Sequence, residues 1–370
     1  MQRIILIVLA VAACVSCRSR RSANESFNIS ETIHFSEKTE KTIQNSVDSV
    51  AYLALEAVEK SLFGNADKMI ARDGRIYIAD YKRGRLIVFD VDGNFIFSIN
   101  KLGRGPGEYL SLRGFTVDEN YIYLTDFESN KLIKYTLSGE YVNEYALPVQ
   151  AMDIGVFDNG DLILVSVPLH TGGFVTEQTP HRVFITDADL KIHTSLFGYE
   201  QEEIDPVGKL SYLSENELSI VFHTAGSDVV HVFSKADPKD MRHLLIDFGD
   251  SKIPDKHRSS LQKMDEGRYN YIYSTPVFAG KYLSLEVNLG DYYETFLYDT
   301  ESRQLLYQAE DDTIVFPYPN CGSGGKYYTL LSGISQYRAL VDGGFPEASA
   351  HVQSHLERDK TAMIVYTMKK

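Results

Sequence analysis

The feature of this 370-residue chain that most constrains its fold is an internal repeat with a period of 46 residues. Residues 76–81 (IYIADY) recur as residues 122–127 (IYLTDF), and the same offset places Gly93 on Gly139. Each unit contains short runs of β-branched and aromatic residues separated by turn residues, which is the pattern of strands joined by hairpins. A period of this length in strand-forming units indicates the blades of a β-propeller.

The repeat predicts four strands in each unit. The strands of the first two units are expected at 67–72, 75–81, 85–90, 95–100, 114–118, 121–127, 131–136 and 141–147. The later units are expected at 151–197, 210–248 and 271–309, and the sixth has strands near 313–320, 326–332 and 361–368. Residues 49–55 can supply the outer strand that the sixth unit lacks. The sequence therefore predicts an all-β fold, a six-bladed β-propeller with four-stranded antiparallel blades, whose ring is closed by an N-terminal strand.

A glycine-rich segment, residues 103–109 (GRGPGEY), follows the first unit. It lies between the strands that end in Asp80 and Asp126. With this segment and these strands, the chain resembles the six-bladed β-propeller lipoproteins of Bacteroidota, which are relatives of the NHL-repeat propellers. The resemblance covers residues 47–370 and includes a helix expected near 346–358. It implies a propeller in the cell envelope and says little about chemistry.

The N-terminal segment carries signals for export and lipid attachment. Its apolar run, residues 4–13, is shorter than the roughly twenty residues that span a bilayer, so residues 1–16 are predicted to be a lipoprotein signal peptide. The run ends in CVSC, which resembles a bacterial lipobox, and we expect lipidation at Cys17. Residues 17–46 are expected to be a polar tether before the propeller domain, 47–370. No acidic cluster follows Cys17, which favours an outer-membrane lipoprotein that faces the periplasm and contacts the membrane through its lipid anchor.

The composition argues against a nucleic-acid partner and against stabilisation by a disulfide. The chain has 51 acidic and 37 basic side chains, a net charge of −14, which argues against a nucleic-acid partner. After signal-peptide cleavage and acylation of Cys17, Cys321 is the one remaining thiol, so no intramolecular disulfide can form. We expect Cys321 to be a small buried residue.

The predicted connections differ in length between the two faces of the ring. First and second strands are joined by two or three residues, whereas the opposite face carries the long insertions 101–112, 168–180, 198–209, 249–270 and 333–360. Long loops on a rigid scaffold commonly carry binding residues. We therefore expect a ligand at the long-loop face, with Arg104, Glu108, Tyr109 and Arg113 lining the mouth of the central channel. The planar guanidinium of Arg104 is suited to pair with a ligand carboxylate.

Other motifs are better explained by structure than by chemistry. Asp80 and Asp126 occupy equivalent positions of the repeat, so they are expected to cap turns. Residues 158–161 (DNGD) lack the later glutamate of a calcium loop and are expected to form a hairpin turn. His351 and His355 have the spacing of zinc ligands without the glutamate of a metalloprotease, and are expected to face solvent.

The sequence contains neither a G-x-S-x-G elbow nor a sialidase-type box. We therefore expect a non-enzymatic module that binds a peptide, glycan or protein partner at the long-loop face, and we assign no catalytic residue, metal ligand or cofactor. The alternative is a calcium-dependent hydrolase or lactonase with its metal in the central channel, for which Glu108, Asp153, Asn288 and Asn320 are candidate ligands. A third hypothesis is a structural subunit of an envelope complex.

Overall fold

The computed structural model describes residues 28–36, 42–166, 181–198, 209, 211–307, 316–331 and 333–370. The predicted signal peptide and Cys17 lie outside these residues. Within the described part of the chain, no helix is long and apolar enough to cross a membrane.

The described residues form 26 strands and three α-helices. The strands up to blade 3 are β1 (Glu31–His34), β2 (Val47–Ala54), β3 (Lys68–Arg72), β4 (Arg75–Asp80), β5 (Arg85–Asp90), β6 (Phe95–Ile99), β7 (Leu112–Val117), β8 (Tyr121–Asp126), β9 (Lys131–Thr136), β10 (Tyr141–Ala146), β11 (Asp153–Val156), β12 (Leu162–Val165), β13 (His181–Thr186) and β14 (Ile192–Gly198). The later strands are β15 (Leu213–Glu215), β16 (Ser219–Phe222), β17 (Val229–Ser234), β18 (Met241–Asp247), β19 (Asn270–Ile272), β20 (Val277–Ala279), β21 (Tyr282–Leu289), β22 (Tyr293–Asp299), β23 (Gln304–Leu306), β24 (Cys321–Ser323), β25 (Lys326–Leu331) and β26 (Ala362–Met368). The helices are α1 (Leu261–Gly267), α2 (Ile334–Asp342) and α3 (Ala350–Leu356).

The strands form six sheets, which are the blades of a propeller. Blades 1 to 4 are β3–β6, β7–β10, β11–β14 and β15–β18, blade 5 is β19–β23, and blade 6 is β24–β26 with β2. The inner strands contact one another in a closed circle, from β3 through β7, β11, β15, β20 and β24 back to β3. The predicted six-bladed all-β propeller is therefore confirmed.

Burial explains which strands are apolar. The second strands, such as β4 and β12, are buried along almost their whole length because each blade is packed between two others. The outer strand β10 is mostly exposed and mixes polar with aromatic residues. The strands predicted for the first two units agree with the observed strands to within two residues at each end.

Blade 6 closes the ring as predicted. The N-terminal strand β2 pairs antiparallel with β26, with Val50 opposite Tyr366. The inner strand β24 begins at Cys321, later than the expected 313–320, because Pro317 and Pro319 have no N–H to donate to a sheet. Cys321 is buried, and that burial raises the pKa of its thiol to about 12.

Residues 31–34 lie within the segment 17–46 that was expected to be a polar tether. These residues form β1, which lies parallel to β18 as a fifth strand of blade 4, with Glu31 opposite Leu244 and His34 opposite Asp247. Ile33 is the one buried apolar residue of β1. A single apolar residue among polar neighbours is too weak a pattern to predict a strand.

Two helices cover blade 6. α2 and α3 pack on the blade through the buried side chains of Tyr337, Leu340, Val352 and Leu356. α3 confirms the helix expected near 346–358, and the hydroxyl of its N-cap residue Ser349 accepts the Val352 N–H. Helices α1 and α2 were not predicted from the sequence.

The capping role predicted for the repeated aspartates is confirmed. Asp80 accepts the Gly64 N–H at 2.7 Å, and Asp126 accepts the Leu110 N–H at 3.0 Å. These donors are again 46 residues apart, so each carboxylate ties the crossover that precedes its blade to the second strand. The expected hairpin turn at 158–161 is also present, with Gly160 at a φ of 87°.

Candidate ligand-binding site

A cavity of about 370 Å³ opens at the centre of the long-loop face. The first strand of each blade begins at this face, because the crossover from the preceding blade arrives there. We call the cavity the mouth site, and its lining includes Asp67, Lys209, Ser211, Tyr273, Ser274 and Asn320. These residues come from blades 1, 4, 5 and 6, so the cavity depends on the whole ring.

Charged side chains close the channel beneath the mouth site. We call Lys68, Thr116, Asp153, Glu215 and Lys235 the channel network. Lys68 Nζ lies 2.8 Å from Asp153 Oδ1 and 3.7 Å from Glu215 Oε1. Lys235 Nζ lies 2.8 Å from Glu215 Oε2, and the Thr116 hydroxyl donates to Glu215 Oε1 at 2.8 Å. The four ionic side chains are at most 3% exposed, and the network spans blades 1 to 4.

The channel network is internally satisfied. Asp153 Oδ2 accepts the backbone N–H groups of Tyr212 and Leu213, each at 2.9 Å. Burial alone would raise the pKa of Glu215, but the ammonium groups of Lys235 and Lys68 outweigh it and hold that pKa below its ordinary value. Two cations therefore balance two anions, and every carboxylate oxygen has a partner. This arrangement fixes four blades to one another.

Residues of opposite charge occupy equivalent repeat positions at the mouth. Asp67 and Arg113 are 46 residues apart, and each stands where the first strand of its blade begins. The Arg113 guanidinium donates to the Lys209 carbonyl at 3.0 Å and lies 5.8 Å from the centre of the Tyr81 ring. The backbone is equivalent at these two positions, but the side chains carry opposite charges. The mouth is therefore chemically asymmetric.

Lys209 carries a cation into the wall of the mouth site. Its Nζ lies 2.7 Å from His223 Nδ1, and the other ring nitrogen of His223 lies 3.0 Å from the Ser227 carbonyl oxygen. Burial, followed by the nearby ammonium, holds the pKa of His223 well below its ordinary value. His223 is therefore neutral, with Nδ1 accepting from Lys209 and Nε2–H donating to Ser227.

Two acids at the mouth have pKa values shifted upward. Burial raises the pKa of Asp67, whose carboxylate accepts the Tyr81 N–H at 2.7 Å. Burial also raises the pKa of Glu286, although the Ser274 hydroxyl donates to it and Lys209 opposes the shift. Clefts in which burial shifts several pKa values are candidates for functional sites.

Exposed tyrosines stand beside the cavity on blade 5. Proline at position 276 interrupts the inner strand between β19 and β20, and Tyr273 lies in that break. Tyr273 is 42% exposed, and its ring centre lies 4.5 Å from that of Tyr293, which is 50% exposed. The neighbouring Tyr292 is 49% exposed. The mouth site therefore combines both signs of charge with an aromatic surface.

Residues 26–338 match the family described as a domain of unknown function, DUF4934. The chain belongs to this family. Its fold is similar to that of a Bacteroides fragilis protein described as exported, with a TM-score of 0.74 and 17% identity over 92% of this chain and 100% of that chain. It is also similar to a DUF4221 family member from Bacteroides vulgatus, with a TM-score of 0.53 and 12% identity over 87% and 97% of the two chains. Identities this low show a shared fold alone, and no curated protein matches the chain.

The structure separates the four residues that the sequence analysis expected at the mouth of this DUF4934 propeller. Arg113 lies there. Glu108 instead accepts the Gly105 N–H at 2.7 Å within its own loop, and Arg104 is exposed on that loop. Tyr109 is fully buried, and its hydroxyl donates to the Gly84 carbonyl at 2.7 Å.

The loop at 103–109 lies toward the outside of the ring for a local reason. The Gly107 N–H donates to Glu144 on the outer strand β10, and the Tyr135 hydroxyl donates to the Gly107 carbonyl. Gly107 has a φ of 70°, a conformation that favours glycine. The glycines therefore shape a tight crossover against the outer strands, and of the four expected residues Arg113 is the one bonded to the wall of the mouth site.

Sequence reasoning missed Asp67, Tyr81, Lys209 and Glu286. The offset of 46 residues that relates Asp67 to Arg113 is a usable signal. A repeat position that carries opposite charges in two blades is not fixed by the requirements of the fold, so it is a candidate for a functional role. Lys209 lies in an insertion, where no periodicity identifies it. Glu286 belongs to a second strand and comes near the mouth only through the pairing of blade 5.

The candidate ligands for a channel metal lie in different environments. Asp153 belongs to the channel network, Glu108 lies in the outer loop, and Asn288 accepts the Gly290 N–H within its own turn. Asn320 lies at the mouth and accepts the Leu330 N–H. Among the residues that the structure describes, no three His, Cys, Asp or Glu side chains are grouped to hold a metal ion.

Proposed function

We propose that this chain is a lipid-anchored envelope protein that binds a peptide, glycan or protein partner at the mouth site. The observation that carries the proposal is the cavity of about 370 Å³ on the long-loop face, which is lined by charged, hydroxyl and aromatic side chains from several blades. Cavities of this size with a few converging polar groups are the usual form of ligand sites. The satisfied channel network beneath supplies a rigid floor.

Three observations support the envelope location. The apolar run and the lipobox-like CVSC at 14–17 resemble the signal peptide of a lipoprotein. The propeller domain resembles the propeller lipoproteins of Bacteroidota, which are relatives of the NHL-repeat propellers. The similar Bacteroides fragilis protein is described as exported. We therefore propose that lipidated Cys17 anchors the chain in the outer membrane with its domain in the periplasm.

The position of β1 supports a mouth that points away from the membrane. β1 runs parallel to β18, which runs toward the long-loop face as the last strand of blade 4. Ser30, which precedes β1, is bonded to His243 on the short-loop side of that pairing. The chain therefore enters β1 from the short-loop side, which supports the proposal that the mouth site points away from the membrane.

The anchor is tested by metabolic labelling with radioactive palmitate and by fractionation of the envelope. Wild-type protein should be labelled and sediment with outer membranes, whereas Cys17→Ser should be unlabelled and released. Equal labelling of the two proteins would rule out Cys17 as the lipidated residue. Protease treatment of intact cells should leave the domain uncut if it faces the periplasm.

The binding site is tested by photo-crosslinking in intact cells. A photoreactive amino acid at Asn320, in the mouth site, should give a discrete adduct, whereas the same group at Tyr145, which is 46% exposed on the outer strand β10, should give none. Arg113→Ala should weaken the Asn320 adduct, and Arg104→Ala serves as the matched control on the outer loop. Absence of an Asn320 adduct, or equal adducts at both positions, would refute the site.

A further inference from the structure

Both signs of charge border one small cavity at the mouth site. Lys209 lines the wall and Arg113 is bonded to its carbonyl, while Asp67 lines the wall and Glu286 is bonded to Ser274 in the lining. A ligand carboxylate here would meet the two acids, and a ligand ammonium would meet the two cations. Burying either charge beside a like charge is costly. A hydroxyl meets neither penalty, because it donates to a carboxylate and accepts from a cation.

The Tyr81 hydroxyl is a buried group near the mouth site, since the Tyr81 N–H donates to Asp67 of the cavity lining. Among the described residues, the Tyr81 hydroxyl finds no hydrogen-bond partner, although it is shielded from solvent. Its electrostatic neighbours are Asp153, Arg113, Asp67 and Glu215, which come from four blades. The hydroxyl therefore points toward the channel axis. A buried polar group without a protein partner can be satisfied by a ligand atom or by an ordered water molecule.

The aromatic surface on blade 5 is suited to one kind of group. Tyr273 lines the cavity while remaining 42% exposed, and Tyr293 supports its ring at 4.5 Å between centres. The face of a tyrosine ring carries partial negative charge and attracts the weakly positive C–H groups of a saturated ring. A pyranose presents such C–H groups on one face and hydroxyl groups around its edge.

We propose that the mouth site binds a neutral glycan, with a sugar ring on Tyr273 and hydroxyl groups directed to Tyr81, Asp67 and Arg113. This inference rests on the proposed function and specifies its ligand class. A peptide offers charged ends and amide groups, which match the mixed charges less well than hydroxyl groups do. A peptide partner is therefore an outcome of the test rather than the expectation.

The test uses full-length protein, purified in detergent, on an array of neutral, uronic-acid, sulfated and amino-sugar oligosaccharides. Binding should be confined to neutral glycans, and the strongest is then measured by calorimetry with each variant. Tyr273→Ala should weaken its affinity by at least about tenfold, through loss of the stacked ring. Tyr145→Ala is the control, because Tyr145 is similarly exposed on a different blade.

Tyr81→Phe is a second variant, and we expect it to fold as the wild type does. It removes one oxygen that has no partner among the described residues, so the unfolding midpoint should not fall. The affinity for the same glycan should fall by about fivefold, the value of one hydrogen bond. An unchanged affinity would remove Tyr81 from the site, and an unchanged affinity in Tyr273→Ala would overturn the proposal.

The array also separates this inference from the proposed function. Binding only to charged glycans overturns the proposal of a neutral glycan and leaves the mouth site as the binding site. The same holds if no glycan binds while Asn320 still gives a crosslinked peptide or protein. Absence of both array binding and an Asn320 adduct overturns both. A neutral glycan that binds wild type and Tyr273→Ala equally places the sugar elsewhere and also counts against the proposal.

Discussion

The channel network and the mouth site are neighbouring polar regions with opposite characters. In the network, each acid is paired with a cation or with backbone N–H groups, and the pKa of Glu215 is lowered. At the mouth, the pKa values of Asp67 and Glu286 are raised by burial, and the Tyr81 hydroxyl lacks a partner among the described residues. Acidic side chains therefore stabilise the folded ring in the channel network, whereas at the mouth site the burial of ionised acids lowers the stability of the fold.

The difference shows how to separate structural from functional polar groups. Buried groups that satisfy one another need nothing from outside and strengthen the fold. Groups held in unfavourable states persist when a ligand compensates for them or when selection for function retains them. Neutralising acids in the two regions should therefore have opposite effects on stability.

The largest expected effect is on the network. Glu215→Ala leaves Lys235 without its carboxylate and removes the acceptor of Thr116, so the free energy of unfolding should fall by about 3–5 kcal/mol. Urea titration followed by circular dichroism at pH 7 measures this change. Glu301→Ala is the control, because Glu301 is exposed and pairs with Lys281 at the surface, and its removal should cost less than about 1 kcal/mol. Equal losses in the two variants would show that the network does not hold the blades together.

The second effect is the pH dependence of the network. The lowered pKa of Glu215 means that the unfolded chain takes up a proton near pH 4.5 while the folded chain does not. Stability from this group is therefore complete above pH 4.5 and is lost as the pH falls through the folded pKa, by up to about 1.4 kcal/mol per pH unit. Glu215→Gln should lack this loss, so its deficit relative to wild type should shrink in urea titrations between pH 7 and pH 3. A constant deficit would contradict the lowered pKa.

Much of the fold could be predicted because the repeat encodes it locally. Strands β3 to β10 follow from alternating apolar runs, turn residues and the offset that relates Asp80 to Asp126. The closing strand followed from counting strands in the sixth unit. β1 could not be predicted, since its four residues include one buried apolar side chain and its partner β18 is distant in the sequence.

The site was harder to predict than the fold for a physical reason. Ring closure brings its residues together from positions that are far apart in the sequence, so no local sequence pattern identifies them. Arg113 lies in the first strand β7 and donates to the carbonyl of Lys209 in the cavity wall, whereas Glu108 and Tyr109 form hydrogen bonds at the glycine-rich loop away from the cavity. The glycines there reflect backbone geometry, and glycine-rich character alone does not identify a ligand site.

The smallest effect is on the mouth site, and it has the opposite sign. A raised pKa in the folded protein means that the ionised carboxylate of Glu286 destabilises the fold above that pKa, and that the cost disappears as the pH falls through it. Glu286→Gln removes the charge and can still accept from Ser274, so at pH 8 it should be as stable as wild type or more stable, by less than about 1 kcal/mol. Urea titrations should show the difference vanishing below pH 4.5, with Glu215→Gln as the contrasting variant in the same buffers. A clear loss of stability at pH 8 would mean that Glu286 is structural in the way that Glu215 is, and the distinction between the two regions would fail.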